Sequence, residues 1–318
     1  MQRRRPSAKA ARQGIEIPDG VETCSLEIKG EVVRLTGLNK IFWPELKLQK
    51  RDLLRYYLQI SQTLIPHLKN RALVMKRYPD GIAGEFFFMK RVPPGHPEWI
   101  QVCTIPHRSG NVIDFPVVQD LPSLLWVVNL ACIDLNQWYA TCDDVNRPDY
   151  IHFDLDPVPP AGFDRVCEAA LHLNERLKAS KIRSYPKTSG SRGIHVYIPL
   201  QRGPLQKQVW TRAKALAREM AAKYPALLTA EYRVANRPAG HVLIDYNQNA
   251  WGRTLASVYS LRPTPLATVS TPVTWDEVAA GITIDQFRIS NVPSRIAKLG
   301  DLFRPLLQQR GRHSLEEL

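Results

Sequence analysis

The stretch Tyr150-Ile151-His152-Phe153-Asp154-Leu155-Asp156-Pro157 decides how the rest of the chain is read. It has the alternation of a β-strand, in which residues two apart share a face. Asp154 and Asp156 therefore project together, while Ile151, Phe153 and Leu155 turn towards a core. Two neighbouring carboxylates repel unless a cation lies between them. Pro157 ends the strand directly after the pair, at a sheet rim that a substrate can reach. A third carboxylate, Asp245, follows a similar apolar run, Val242-Leu243-Ile244. Three oxygen ligands suit Mg²⁺ or Mn²⁺, and two such ions can serve both the attacking and the leaving oxygen of a phosphoryl transfer. The plainer reading of the Asp-x-Asp pair alone is a solvated strand end.

Working outward, Lys187-Thr188-Ser189-Gly190-Ser191-Arg192-Gly193-Ile194-His195 joins two further strands, 182–187 and 194–200. The glycines let backbone N–H groups approach an anion, and Lys187, Ser189, Ser191, Arg192 and His195 add donors or charge. The set suits a triphosphate. The spacing is neither that of a Walker A loop nor of a dinucleotide fingerprint. The plainer reading is a hairpin turn with a cross-strand histidine. A ligase would need a nucleophilic Lys-x-Asp-Gly; Lys76-Arg77-Tyr78-Pro79-Asp80-Gly81 has the wrong spacing, so ligase chemistry is not expected.

The remaining chain alternates strands and helices. Strands are expected within 23–36 and at 72–78, 84–92, 112–117, 150–156 and 241–247. Helices are expected at 50–68, 122–133, 162–180, 204–223, 274–280 and 294–309. Residues 1–20 read as a disordered basic arm, 21–310 as one catalytic domain of two packed lobes, and 311–318 as a tail. The alternation indicates an α+β (mixed α/β) fold.

The net charge of +13 and pI near 9.6 favour a polyanionic partner. No stretch is long and apolar enough for a membrane span, and the N-terminal Met1–Gly14 lacks the apolar core of a secretory signal, so a cytoplasmic location is expected. The five cysteines are odd in number and show no Cys-x-x-Cys spacing, which argues for reduced thiols.

Taken in order, His152–Pro157, Thr188–Leu200 and Leu243–Pro263 resemble the polymerase domain of bacterial DNA ligase D, a member of the archaeo-eukaryotic primase superfamily. Asn39–Pro44, Met75–Gly81 and Gly84–Lys90 extend the resemblance, which runs from about Cys24 to about Leu307. It implies an RRM-like catalytic sheet beside a second α/β unit around one cleft. It implies a template-directed polymerase that uses Mn²⁺ or Mg²⁺ and adds NTPs or dNTPs to a primer 3′-end at gaps or double-strand breaks. On this resemblance Asp154, Asp156 and Asp245 hold the metals. Lys187, Ser189, Gly190, Ser191, Arg192, His195, Gln248 and Arg262 face the nucleotide. Lys40 and Lys50 take a 5′-phosphate, and Lys76, Phe87 and Phe88 lie near the template. For Phe86–Phe88, burial in the core stays open as an alternative. A separate ATP-dependent ligase and Ku are the implied protein partners.

Two departures stand out. Asn136 occupies the place of a family histidine, and Asn cannot titrate near neutral pH. Thr264 replaces a second basic residue after Arg262. No ligase or nuclease module is recognisable, as in stand-alone homologues linked to excision repair as well as end joining. The rival readings are a metal-dependent phosphodiesterase, for which the triphosphate donors would have no purpose, and a non-catalytic DNA-end binding module.

Overall fold

The computed structural model describes residues 14–107 and 110–318. Its strands are β1 (Thr23–Ile28), β2 (Glu31–Thr36), β3 (Ile41–Trp43), β4 (Leu48–Gln49), β5 (Leu73–Arg77), β6 (Phe87–Met89), β7 (Val102–Pro106), β8 (Val112–Pro116), β9 (Cys132–Gln137), β10 (Tyr150–Pro157), β11 (Tyr185–Thr188), β12 (Ile194–Pro199), β13 (Leu228–Thr229) and β14 (Val242–Asp245). Its helices are α1 (Lys50–Leu68), α2 (Leu121–Asn129), α3 (Phe163–Ala179), α4 (Gln206–Lys223), α5 (Trp275–Ala279) and α6 (Val292–Leu299).

The five-stranded sheet has the order β11-β12-β10-β14-β13, antiparallel except for the last pair. The chain runs β10-α3-β11-β12-α4-β14 through it, the split βαβ arrangement of RRM-like sheets. Ile151, Phe153 and Leu155 are fully buried, as their alternation requires, and α3 packs behind them with Val166, Ala169, Ala170 and Leu173. The opposite face, which carries His152 and Asp154, is covered in its turn, with His152 against Tyr139 and Tyr197 against Phe303.

The second unit holds the sheet β6-β5-β9 with α1 and α2. The segment Ser257–Leu261 ties the two units together. Ser257 N donates to Leu135 O (2.7 Å) and Ser260 Oγ accepts from Leu135 N (2.9 Å). From α1, Tyr56 Oη donates to Tyr259 O (2.8 Å) and Tyr57 Oη to Ile133 O (2.7 Å). One core cluster draws side chains from both units, so they are lobes of a single packed body.

Several expectations need correction. The helix expected over 122–133 stops at Asn129, because Ala131 takes a left-handed φ of 64° and the chain turns into β9. The expected strand 84–92 shortens to Phe87–Met89, and the expected helix 294–309 is α6 followed by a 3₁₀ turn at Arg304–Leu307. Of the expected arm, residues 1–13 lie outside the described residues. Residues 14–20 run along α1, where Ile17 enters the core and its carbonyl accepts from Arg55 Nε (3.1 Å). The expected tail 311–318 is likewise packed: His313 N donates to Pro199 O (2.9 Å), and Leu318 is buried. Cys103 and Cys142 are paired, with Cα atoms 5.7 Å apart, contrary to the expectation of thiols throughout. Their separation of 39 residues gave no spacing signal.

Candidate active site

The pairing register brings four functional side chains into one row. Lys187 lies opposite His195, His195 opposite Asp154, and Asp154 opposite Asp245 across four adjacent strands. Directly opposed residues share a face, with Cβ atoms ~4.5–5.5 Å apart. Asp156, two residues along β10, shares the face of Asp154 and lies opposite Leu243. The three expected carboxylates thus stand at one end of the five-stranded sheet.

Their electrostatics are strained in the way an acidic cluster must be. Burial and the nearby Asp245 push Asp154 up to about 7. The charge of Asp154, then burial, push Asp156 up to about 7. Asp154 Oδ1 is buried without a hydrogen-bond partner; His195 Nε2 lies 3.2 Å away but out of line. Asp245 Oδ1 accepts from Asn247 N (2.8 Å) and Oδ2 from Gln248 Nε2 (3.1 Å). Among the described residues no group of three or more His, Cys, Asp or Glu side chains is placed to hold a metal ion by itself. An open carboxylate set still fits Mg²⁺ or Mn²⁺, since Mg²⁺ in particular keeps waters and takes substrate phosphates as ligands. The orphaned oxygen and the raised carboxylates are what such a cation would relieve.

Lys187 departs from the expectation of a phosphate contact. Its side chain is fully buried, and Nζ donates to His195 Nδ1 (2.8 Å), Ala256 O (2.9 Å) and Ser270 Oγ. It holds His195 with Nε2 turned towards Asp154. Burial, then the charges of Lys187 and Arg262, push His195 well below the ordinary histidine range.

The glycine turn also differs in detail. Its amides close on their own hydroxyl: Ser189 Oγ accepts from Ser191 N (3.1 Å), Arg192 N (3.1 Å) and Gly193 N (2.9 Å). Ser191 and Arg192 are exposed at the tip, while Ser189 and Gly190 are buried. Gly190 has φ 67°, and a Cβ there would strike Arg262 and the Val269–Ser270 backbone. A Cβ on Gly193 would strike Leu155 O and crowd Asp156 Oδ1. Both glycines therefore serve close approach, Gly193 by pressing the turn onto β10.

Arg262 Nε lies 3.3 Å from Asp134 Oδ1, and Lys76 Nζ lies 4.0 Å from Asp134 Oδ2. Asp134, on β9 in the opposite unit, was missed by the sequence reading. Its burial raises its carboxyl against the pull of Arg262 and Lys76. The alternation of Ile133 and Leu135 with Asp134 and Asn136 was the available signal for β9. Asn136 is buried, and its Nδ2 donates to Asp134 O (3.2 Å). Thr264 Oγ1 lies 2.6 Å from Thr268 Oγ1, within its own turn.

The remaining expected residues form two patches. Phe86, Phe87 and Phe88 are 50%, 45% and 60% exposed, which removes the core alternative. Lys76 Nζ sits 4.0 Å from the Phe86 ring centroid and 5.7 Å from that of Phe88. Lys40 pairs with Asp80 at the surface. Lys50, at the start of α1, is buried and donates to Thr36 O (2.7 Å); burial and the charges of Lys40 and Arg77 push it down to about 8. The Lys50 amide donates to Lys40 O (2.8 Å), which holds the two lysines side by side.

With the geometry established, comparison places the chain. A family model described as the LigD primase-polymerase domain matches residues 49–303. The chain belongs to that family. It is 34% identical over 278 residues to the multifunctional non-homologous end joining protein LigD of Mycolicibacterium smegmatis, covering 87% of this chain and 36% of the relative. It is 35% identical over 269 residues to the bifunctional non-homologous end joining protein LigD of Bacillus subtilis, covering 84% and 43%. The chain thus spans well under half the length of these relatives. The polymerase domain of Mycobacterium tuberculosis ligase D, solved in complex with DNA, superposes with a TM-score of 0.80 at 28% identity, covering 86% of this chain and 97% of that one. As a LigD primase-polymerase domain, the chain has the fold and the nucleotidyltransferase class that the resemblance implied. Among the described residues no helix is long and apolar enough to cross a membrane.

Proposed function

We propose that this chain extends a DNA primer 3′-end, directed by a template, with ribo- or deoxyribonucleoside triphosphates at gaps or double-strand breaks during repair. The observation that carries this reading is the row Lys187–His195–Asp154–Asp245 with Asp156 beside it. Transfer consists of attack by the primer 3′-hydroxyl on the α-phosphate of the nucleotide, with release of pyrophosphate. Asp154, Asp156 and Asp245 would hold Mn²⁺ or Mg²⁺, which when bound supply the Lewis acidity that activates the hydroxyl and neutralises pyrophosphate.

The chain's own groups do the positioning. His195 presents Nε2 beside the carboxylates as a neutral donor, fixed by Lys187. Arg192 and Ser191 face solvent at the turn, where a triphosphate would lie. Gln248 and Arg262 border it from the segment after β14, each anchored to an aspartate. Lys40 and Lys50 would take the 5′-phosphate on the far side of a gap. Phe87 and Phe88 would support template bases by stacking, which tolerates any sequence. The relatives' end-joining names support a partnership with a DNA ligase and with Ku, and action on the bacterial chromosome in the cytoplasm.

The test is extension of a gapped duplex with and without a downstream 5′-phosphate, giving ribo- and deoxyribonucleotides separately with Mn²⁺ or Mg²⁺. Elongation that needs metal and is enhanced by the phosphate supports the reading. Strand cleavage without nucleotides would point to a phosphodiesterase instead.

A further inference from the structure

Lys76 and Arg262, expected at the template and at the nucleotide, meet on one carboxylate. Lys76 on β5 lies directly across the ladder from Asp134 on β9, so their side chains share a face. Arg262 reaches the same carboxylate from just beyond the segment that ties the two units together. Its Nε lies 3.3 Å from Asp134 Oδ1, and Lys76 Nζ lies 4.0 Å from Oδ2. Among the described residues neither cation has another carboxylate within 4.0 Å. The Asp134 side chain is 2% exposed, and those of Lys76 and Arg262 are 17% and 20% exposed, so water screens the trio far less than it screens a surface pair.

Each cation also touches its own part of the cleft. Lys76 Nζ lies 4.0 Å from the Phe86 ring centroid. Arg262 packs against the nucleotide turn, where a Cβ on Gly190 would come within 2.7 Å of its Cγ. Its backbone N donates to Thr268 O (2.8 Å), and the Thr268 hydroxyl donates to Gly190 O.

These cations would not stand together unaided. Burial lowers the proton affinity of Lys76 and of Lys187, the charge of Arg262 lowers both further, and Asp134 opposes the shift in each. Without that anion the three repel, and Arg262, the most exposed of them, is the one that can swing out into solvent. Its Nε faces Asp134 Oδ1 out of line for a hydrogen bond, so the link is one of charge. Asp134 therefore steadies Arg262 while leaving the outer end of the guanidinium to a phosphate.

We propose that Asp134 is a positioning residue for nucleotide addition, the shared counter-ion that holds Arg262 against the nucleotide turn and Lys76 against the template aromatics. This rests on the function proposed above, which supplies the roles of Arg262 and Lys76.

The test reads equilibrium binding beside rate, with the whole chain. A fluorescent nucleoside triphosphate is titrated in Mn²⁺, and KM and kcat are taken from extension of a gapped duplex. Asp134→Asn should weaken triphosphate binding and raise KM roughly tenfold, with kcat falling much less. Asp134→Glu, which keeps the charge, should retain most of the binding. In an Arg262→Gln background Asp134→Asn should cost under about twofold more, because its route is already cut. The corresponding cycle with Lys76→Met, read by binding of a single-stranded template, should be equally non-additive. A merely structural role would lower melting temperature and kcat alike in every background and leave KM where it was. Should Asp134→Asn alone fail to fold, Lys76→Met with Asp134→Asn removes one charge of each sign; against Lys76→Met alone it should show the same weakened triphosphate binding. Unchanged or tighter triphosphate binding on loss of the carboxylate, or an equal fold-loss with and without the partner cation, overturns the assignment. A wild type that binds triphosphate but extends nothing sinks the function proposed above and leaves the binding cycles readable.

Discussion

Asp245 lies directly across the β10–β14 ladder from Asp154, although 91 residues separate them in sequence. The pairing sets a buried and a half-buried carboxylate side by side, with no ion pair to Asp245 among the described residues. A fold keeps such a pair only where some other gain offsets the repulsion.

Replacing Asp154 by Asn removes one charge while keeping the shape. Extension of a gapped duplex should fall below detection. The metal-free protein should melt at the same or a higher temperature, because repulsion is relieved. Retained extension, or loss of fold, would refute the assignment.

The raised carboxylates also set a pH trend. Asp154 and Asp156 titrate near 7 in the fold, against 3.8 for an unperturbed Asp. Between those values the folded state binds more protons than the unfolded state, so stability falls as pH rises from about 4 through 7. The loss should amount to several kcal/mol in EDTA, each unit by which a carboxyl is raised contributing ~1.4 kcal/mol. Added Mn²⁺ should restore stability mainly above pH 7, where the carboxylates are free of protons. Melting curves across this range with and without Mn²⁺ check it; a flat metal-free profile contradicts it.

Gly193→Ala places a methyl against Leu155 O and Asp156 Oδ1. The turn must then lift from β10. Stability should drop by ~1–3 kcal/mol, and the apparent affinity for nucleotide should weaken. Urea denaturation and a nucleotide titration of extension rate measure both; wild-type values in both would show that the close approach is dispensable.

Lys50 titrates near 8, so its charge is lost as pH passes that value. The advantage of a 5′-phosphorylated gap over a 5′-hydroxyl gap should therefore shrink between pH 7 and 9. Lys50→Met should abolish the advantage at every pH. An advantage that persists in that variant would place the phosphate elsewhere.

Phe87 and Phe88 are substantially exposed and packed chiefly against cations and each other's neighbours. Changing both to Ala should leave the melting temperature within a few degrees and weaken binding to templated ends roughly tenfold. Unchanged binding would reduce them to an incidental apolar patch.

How much of this was legible in the sequence follows from the range of each signal. Period-two alternation exposed β10, β12 and β14 and the shared face of Asp154 and Asp156, since these are local. The convergence of Asp245 was readable only through a multi-segment resemblance, because register between distant strands leaves no local trace. Asp134 was passed over because β9 follows an apolar helix after only Leu130 and Ala131, so the helical periodicity masked it. Lys187 looked like a phosphate ligand because a lysine before a glycine turn offers charge; only packing reveals that its ammonium is consumed by His195, Ala256 and Ser270. The Cys103–Cys142 pairing is likewise a product of tertiary contact.

The Ser189 hydroxyl, which gathers the amides of Ser191, Arg192 and Gly193, makes the nucleotide turn a latch already shut. Its ordering is completed when the chain folds. On the proposed function, a nucleotide would therefore meet a segment whose shape is already set, and binding would cost little further ordering of the turn.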